Sequence, residues 1–385
     1  MPGQTRRRAL MAVLALAATG WSASAAAQFK PDPLTATTLP AKSSPHWVWV
    51  NDIVFHHMAD GKSFLVDGDS GRMLGMLSTG FGNNGVVLPA NGATILSAEV
   101  YFTRHTRGKR TDVVTLYDGR KLSPVAEIEI PPKRASAMPM LALARLTDDD
   151  RFLLIYNYTP AQSVSVVDVK ARKFVGEIDT AGCALVYPTG ARSFFSLCGD
   201  GTALTVQLDD AGKAKSKART TKLFDAVKDP VTEKAVRDGN TWLFVTFRGE
   251  VVPIETTSAG TRAGARWSLL DAADRKASWR PGGLQHLSLH GGTRRLYSLM
   301  HVGGNYTHKD PGTEIWVYDL AGKRRVQRIA LKDPATSIAI TRDAKPLLFA
   351  VFIGAQKVDV YDPAAGKLLR TIGEIGFSPT TLVTY

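Results

Sequence analysis

Eight histidines are the residues of this chain best suited to metal or acid–base chemistry, yet their spacing favours neither. Only His286 and His290 stand four residues apart, and they lie in an alternating, strand-like run. Side chains at these positions on a strand share a face but are too far apart to bind one zinc ion. His56 and His57 fit equally well at a channel mouth or on a plain surface loop. The sequence contains no nucleophile elbow, P-loop or dinucleotide-binding glycine motif.

Two cysteines, Cys183 and Cys198, stand 15 residues apart in strand-like segments. Antiparallel strands joined by a loop over residues 188–192 would bring the two thiols within bridging distance. In an oxidising compartment such a pair most simply forms one disulfide, and the alternative is two buried free thiols. The sequence has no CxxC or CxxCH motif, so it gives no support to thioredoxin-like chemistry or covalent haem attachment.

The N-terminal segment predicts export. Three arginines, Arg6 to Arg8, precede an apolar stretch over residues 9–18, and small residues lead to a cleavage site near Ala27. We assign residues 1–27 to a signal peptide and expect the mature protein in the periplasm, exported by the general or the twin-arginine route. We expect no membrane span, because no apolar stretch reaches the roughly 18 residues that a spanning helix requires.

The charge balance is strongly basic, with 48 Lys and Arg against 35 Asp and Glu in 385 residues. A formal charge of +13 often indicates nucleic-acid binding. An exported protein meets no chromosome, so an acidic partner protein or an anionic surface is the better interpretation. A basic cluster containing Arg104, Arg107 and Lys109 could contact a partner's carboxylates, or it could be a solvated loop between strands.

The strongest structural signal is a pattern that recurs seven times: an alternating apolar run, an acidic turn and a second alternating run. Period-two alternation bounded by Asp and Gly is typical of β-hairpins. The spacing averages about 49 residues between Asp67 and Asp362, which is typical of propeller blades. We therefore predict an all-β fold, a seven-bladed β-propeller over residues 46–385, preceded by an extended arm over 28–45. The C-terminal segment 379–384 should pair beside residues 46–50 and close the first blade, and a short helix is expected over 265–276.

Several separate segments, in the right order, resemble the large (heavy, or α) subunit of bacterial quinoprotein amine dehydrogenases over essentially the whole mature length. The segments that carry the resemblance cover residues 52–57, 69–76, 106–114, 131–134, 198–201, 279–283, 307–309 and 314–317. The Val-Phe-His, Pro-Pro-Lys-Arg and Cys-Gly-Asp-Gly forms within them look closer to aromatic amine dehydrogenase, whereas residues 345–349 look closer to methylamine dehydrogenase.

The resemblance implies a periplasmic α2β2 enzyme that oxidises primary amines. In this family the small β subunit carries tryptophan tryptophylquinone (TTQ), made from two of its own tryptophans, and electrons pass to an azurin- or amicyanin-like cupredoxin. The catalytic residues belong to the small subunit, so none is carried over to this chain. By the same resemblance we expect no cofactor in this chain, and the spacing of its histidines and acidic residues predicts no metal site.

The resemblance also assigns roles to individual residues. A phenylalanine near the first blade lines the substrate channel in the family, and Phe55 with its neighbour His56 are the matching residues here, although Phe55 could instead pack beneath a loop. Cys183 and Cys198 match the family's intrachain disulfide. A hypothesis from a different class is a stand-alone periplasmic propeller that binds a ligand or partner and has no amine dehydrogenase activity.

Overall fold

A computed structural model of the chain describes residues 37–82, 85–257 and 260–385. The predicted signal peptide and residues 28–36 of the predicted arm lie outside this range. Within the described residues the strands form seven antiparallel sheets of four or five strands each. This arrangement confirms the predicted seven-bladed β-propeller.

The first four blades follow the chain order. Their strands are β1 (Trp47–Asp52), β2 (Lys62–Asp67) and β3 (Met73–Ser78) in blade 1; β4 (Val86–Val87), β5 (Thr94–Arg104), β6 (Arg107–Asp118) and β7 (Pro124–Ile130) in blade 2; β8 (Ala144–Leu146), β9 (Phe152–Asn157), β10 (Ser163–Asp168) and β11 (Lys173–Asp179) in blade 3; β12 (Cys183–Gly190), β13 (Ser193–Cys198), β14 (Ala203–Leu208) and β15 (Ala214–Arg219) in blade 4.

The remaining strands complete the ring. They are β16 (Val236–Asp238), β17 (Thr241–Val245), β18 (Glu250–Thr257), β19 (Gly260–Ala263) and β20 (Trp267–Ser268) in blade 5; β21 (Trp279–Pro281), β22 (Leu287–His290), β23 (Arg295–Val302), β24 (Gly312–Asp319) and β25 (Arg324–Ala335) in blade 6; β26 (Ser337–Ile340), β27 (Leu348–Val351), β28 (Lys357–Asp362) and β29 (Lys367–Gly373) in blade 7; and β30 (Pro379–Thr384), which returns to blade 1.

The C-terminal strand closes the ring as predicted. β30 pairs antiparallel with β1, with Val48 opposite Thr384, and so becomes the innermost strand of blade 1. The Trp49 indole donates a hydrogen bond to the Tyr385 hydroxyl over 3.1 Å. Because this pairing joins the two ends of the chain, the first blade has no unpaired inner edge.

The predicted helix over 265–276 is mostly wrong. The helix α1 spans Ala272–Lys276, and Trp267 lies instead in β20, where it pairs with Val251. A capping box starts the helix: the Asp271 carboxylate accepts the backbone N–H of Asp274, and the Asp274 carboxylate accepts that of Asp271. A single 3₁₀ turn spans Leu141–Leu143.

Apolar side chains pack between neighbouring blades, which explains the alternating sequence pattern. Val48 and Val66 of blade 1, for example, share one buried cluster with Phe349, Val360 and Ile372 of blade 7. The second strands of blades 1 and 3, β1 and β9, are buried on both faces, whereas an outermost strand such as β29 alternates between exposed and covered positions. The core is therefore distributed around the ring in layers between blades.

The blades present two different ends. Inner strands run in the same direction, as the parallel bridge between Gln285 and Ser337 shows for blades 6 and 7. Within a blade the strands alternate in direction, so the second strand runs back to the end of the propeller at which the inner strand begins. The turn between the second and third strands therefore lies at that end. We call this end of the propeller the hairpin face. Its turns are residues 53–61, 105–106, 158–162, 199–202, 246–249, 303–311 and 352–356.

Candidate partner-docking face

Exposed aromatic side chains gather on the hairpin face. Phe55 is 60% exposed, Tyr158 58%, Tyr306 79% and Phe377 61%, and each lies in or beside a turn of that face. Val227 and Val302 are also exposed there. Aromatic residues are enriched where proteins bind each other, so these side chains indicate a docking surface.

Phe55 and His56, the predicted substrate-channel residues, lie directly after β1, in the part of this face that blade 1 forms. We call this part the blade 1 corner. The Phe55 side chain projects to the surface and does not pack beneath a loop. The His56 ring lies edge-on to the Phe377 ring, with 6.3 Å between centroids. Phe377 was missed from the sequence because it precedes β30, more than 300 residues away along the chain.

A buried carboxylate, Asp52, fixes the geometry of this corner. Its Oδ1 accepts the backbone N–H of Val54 at 2.7 Å, the N–H of Ser378 at 3.1 Å and the Ser378 hydroxyl at 3.0 Å, and its Oδ2 accepts the N–H of Phe377. The Ser378 hydroxyl oxygen in turn accepts the N–H of Phe55 at 2.6 Å. Asp52 therefore positions the loops of both aromatic residues.

The predicted basic cluster lies at the tip of the hairpin between β5 and β6. Val86 of the short inner strand β4 pairs with Ser97, so the rest of β5 extends beyond the inner strand. Arg104, Arg107 and Lys109 are exposed at the tip. This exposed placement on the hairpin face is compatible with both interpretations of the cluster, a partner contact and a solvated loop between strands.

A polar network supports the base of that hairpin. The buried Glu99 carboxylate accepts hydroxyl hydrogen bonds from Tyr101 at 2.8 Å, Thr115 at 2.5 Å and Tyr117 at 2.7 Å. Burial raises the pKa of Glu99 despite these bonds, and burial beside Glu99 also raises the pKa of Tyr117. Because one buried carboxylate binds side chains of both β5 and β6, the network helps to hold the two strands in one register.

The two histidines with i, i+4 spacing contact different partners. His286 is fully buried and its Nε2 lies 2.8 Å from the Thr232 hydroxyl, whereas His290 contacts Thr293 and the Asp343 carbonyl. Burial lowers the pKa of His286, so this ring is neutral at neutral pH. Among the described residues, no group of three His, Cys, Asp or Glu side chains is arranged to hold a metal ion.

The disulfide between Cys183 and Cys198 is present, as the sequence predicted. The two cysteines face each other across β12 and β13, with Cα atoms 3.9 Å apart. The hairpin turn that joins the strands is residues 191–192, shorter than the expected loop over 188–192. The bridge therefore lies on the hairpin-face end of blade 4, where β12 begins.

Fold and site together define a disulfide-bonded β-propeller with a candidate partner-docking face. A sequence profile for the family described as "Methylamine dehydrogenase heavy chain (MADH)" matches residues 45–385. The chain belongs to this methylamine dehydrogenase heavy chain family.

Individual relatives agree with the family match. The chain is 30% identical to the methylamine dehydrogenase heavy chain of Methylophilus methylotrophus over 353 residues, which covers 91% of this chain and 86% of that protein. It is 30% identical to the heavy chain of Paracoccus versutus over 334 residues, covering 86% of this chain and 77% of the relative. These matches support the large-subunit resemblance but do not distinguish the aromatic from the methylamine branch.

Solved structures of low identity share the fold. The periplasmic gluconolactonase of Pseudomonas aeruginosa superposes with a TM-score of 0.61 at 16% identity, covering 88% of this chain and 98% of that one. A 6-phosphogluconolactonase homologue from Bacteroides uniformis gives a TM-score of 0.61 at 9% identity, covering 88% and 99%. Among the described residues, no helix is long and apolar enough to cross a bilayer.

Proposed function

We propose that this chain is the non-catalytic large subunit of a periplasmic amine dehydrogenase and that the small subunit binds its hairpin face. The observation that carries the proposal is the gathering of exposed aromatic side chains on that one face. Membership of the heavy chain family supports the same assignment. The remaining exposed large apolar side chains lie mainly on outermost strands, where they are dispersed around the rim.

In this proposal the blade 1 corner forms part of the wall of the substrate channel. Phe55, His56 and Phe377 would cover the path of the amine and exclude water from it. The Asp52 hydrogen bonds hold the backbone of both loops, so the wall has a defined shape before the small subunit binds. When bound, TTQ on the small subunit supplies the quinone carbonyl that accepts electrons from the amine.

The neighbouring tryptophans Trp279 and Trp316 do not suit an amine-oxidising quinone. Trp279 and Trp316 have ring centroids 5.0 Å apart, but Trp316 is fully buried and its indole N–H donates to Glu314. The guanidinium groups of Arg325 and Arg328 lie over its ring at 4.1 and 4.7 Å. An amine cannot reach the buried Trp316 ring, which supports placing the cofactor on the small subunit.

The proposed substrate is a primary amine. The residue forms noted in the sequence favour an aromatic amine, whereas the curated relatives are named for methylamine. A comparison of phenethylamine with methylamine as substrates would decide between the branches. One side chain in a channel changes selectivity by about 1–3 kcal/mol, a preference that relative kcat/KM values would resolve.

The proposed electron acceptor is a cupredoxin, and the proposed assembly is an α2β2 heterotetramer. A basic chain with exposed Arg104, Arg107 and Lys109 on a projecting hairpin suits acidic partners. Raising the salt concentration should therefore slow association with an acidic partner if this hairpin contributes to steering.

Isolation of the protein from its native periplasm under mild conditions tests the proposal. We expect a stoichiometric small subunit to copurify, with a quinone absorption band that bleaches when amine is added. The isolated large chain should oxidise no amine. A lone chain without a chromophore would refute the proposal and favour the stand-alone binding propeller, and activity of the isolated chain would refute the division of labour.

A further inference from the structure

A cavity of about 1210 Å³ occupies the centre of the ring. Segments from every blade of the propeller contribute to its wall, including the inner strands β8, β22, β26 and β30. The charged side chains that line it are predominantly basic: Lys42, Arg145, Lys234, Arg237 and Arg342, against Asp148, Asp150 and Glu233.

The three acidic residues are already engaged. Asp148 binds the Arg237 guanidinium through both carboxylate oxygens, at 2.5 and 2.9 Å. Asp150 accepts the backbone N–H of Ala90 at 2.6 Å. The Glu233 carboxylate lies 2.8 Å from Lys234 Nζ. The two ion pairs neutralise Arg237 and Lys234. Asp150 makes no ion pair among the described residues, so one carboxylate stands against Lys42, Arg145 and Arg342, and the lining keeps an excess of positive charge.

Arg145 and Arg342 are two cations of the lining without an ion-pair partner; Arg145 is half-buried, and Arg342 is exposed to solvent. Among the hydrogen bonds and ion pairs of the described residues, none involves either guanidinium, and Arg145 Nε is buried without a partner. Burial, the largest effect, and the nearby charge of Arg342 together lower the pKa of Arg145 to about 10. The group nevertheless stays protonated at neutral pH.

Tyr187 cannot supply the missing negative charge. It is the other titratable group close enough to affect Arg145, but it is buried and burial raises its pKa well above the usual value. Its hydroxyl is committed as a donor to the Glu233 carbonyl at 2.8 Å. A buried cation without a counter-ion is unfavourable, and the positive charge of Arg342 nearby makes the charged form of Arg145 less favourable still.

We propose that the central cavity binds a doubly charged oxyanion between the guanidinium groups of Arg145 and Arg342. Guanidinium forks bind the oxygen atoms of phosphate, sulfate and carboxylate groups in pairs, and two forks suit a ligand with two negative charges. Arg145 lies on β8 in blade 3, and Arg342 follows β26 in blade 7. The bound anion would thus link two blades that are not neighbours in the ring.

Thermal unfolding of the purified protein with added sodium phosphate or sodium sulfate tests this site, with sodium chloride at equal ionic strength as reference. We expect a saturable rise in Tm of about 3 °C with the divalent oxyanions beyond that in chloride. Succinate and a phosphate monoester serve as further probes, because they separate a free inorganic anion from a dicarboxylate or an organic phosphate. Isothermal titration calorimetry with phosphate should give one site per chain.

Three variants make the test specific. Arg145→Met and Arg342→Met should each lose the saturable response, and Arg145→Met should be at least as stable as the unmodified protein in chloride because it removes an uncompensated charge. Arg324→Met, at an exposed arginine on β25, is the matched control and should retain the response. The proposal is overturned if the unmodified protein responds equally to all salts at equal ionic strength, or if Arg145→Met keeps the saturable rise in Tm.

Discussion

Replacing Asp52 by Asn should destabilise the propeller and weaken binding of the small subunit. The carboxylate accepts four hydrogen bonds, three at Oδ1 and one at Oδ2, and all donors but Val54 belong to the segment just before β30. In the variant, an amide NH₂ group would replace Oδ2 and face the N–H of Phe377, so one charge-assisted hydrogen bond is lost. The other three bonds become neutral and weaker.

The magnitude follows from these contacts. A hydrogen bond to a charged group contributes about 1.5–3 kcal/mol, and a neutral one about 1 kcal/mol. One lost bond and three weakened ones give a decrease of at least about 3 kcal/mol in the free energy of unfolding. Because the Phe55 and Phe377 loops lose their common support, we also expect affinity for the small subunit to fall by about tenfold, equivalent to about 1.4 kcal/mol.

Urea unfolding followed by tryptophan fluorescence measures the first effect, and isothermal titration calorimetry with the small subunit measures the second. Asp362→Asn is the matched control, since Asp362 caps a turn in blade 7 by accepting the N–H groups of Ala364 and Ala365. The control should lose less than about 1 kcal/mol. Equal stability of the two variants, with unchanged affinity, would refute the assigned role of Asp52.

Three further predictions concern the docking face and the integrity of the ring. Phe55→Ala should weaken binding of the small subunit by about 2 kcal/mol without changing Tm. The control Met76→Ala, on the outermost strand β3, should change neither the affinity nor Tm. Calorimetry measures the affinity and thermal scans measure Tm, and equal affinities of the two variants would contradict the prediction. Cys198→Ser opens a covalent loop of 15 residues and should cost about 3 kcal/mol in urea unfolding; an equal midpoint for the reduced unmodified protein and the oxidised one would contradict this. The pKa of His46 is raised above its usual value. Burial is the largest single effect and lowers this pKa, but the hydrogen bond to Asp69 and the charge of Asp69, together with the other contacts, outweigh burial. A raised pKa in the folded state stabilises the protein most below about pH 6.5, and this stabilisation is lost as the pH rises through the folded-state pKa. His46→Gln should therefore remove this pH-dependent part of the free energy of unfolding, which urea unfolding curves at a series of pH values would measure.

The architecture was predictable because the information lies in local repetition. Alternating runs that end in acidic turns define hairpins, and their spacing defines blades. The closing strand followed from the same repetition, since the first blade lacks an inner strand and segment 379–384 supplies one. The helix prediction failed because β20 has only two residues, too few to show alternation in the sequence.

The site was only partly predictable. Phe55 and His56 could be identified from a local sequence motif, but Phe377 and Ser378 join them through Asp52 across a separation of about 325 residues. Arg145 lies in an ordinary strand segment, Ala144–Leu146, that gives no sign of an unpaired charge. Contacts of this kind depend on which blades lie close together in the folded ring. The composition and the periodicity of the sequence do not show which blades these are.

The central claim is that the small subunit binds the hairpin face. Hydrogen–deuterium exchange of this chain, alone and with its small subunit bound, tests the claim most directly. We predict protection of residues 53–61, 105–106, 158–162 and 375–378 on binding, with little change in the turns at the opposite end, such as 68–72 and 363–366. Protection confined to those opposite turns, or no protection at all in a complex of proven stoichiometry, would contradict the account.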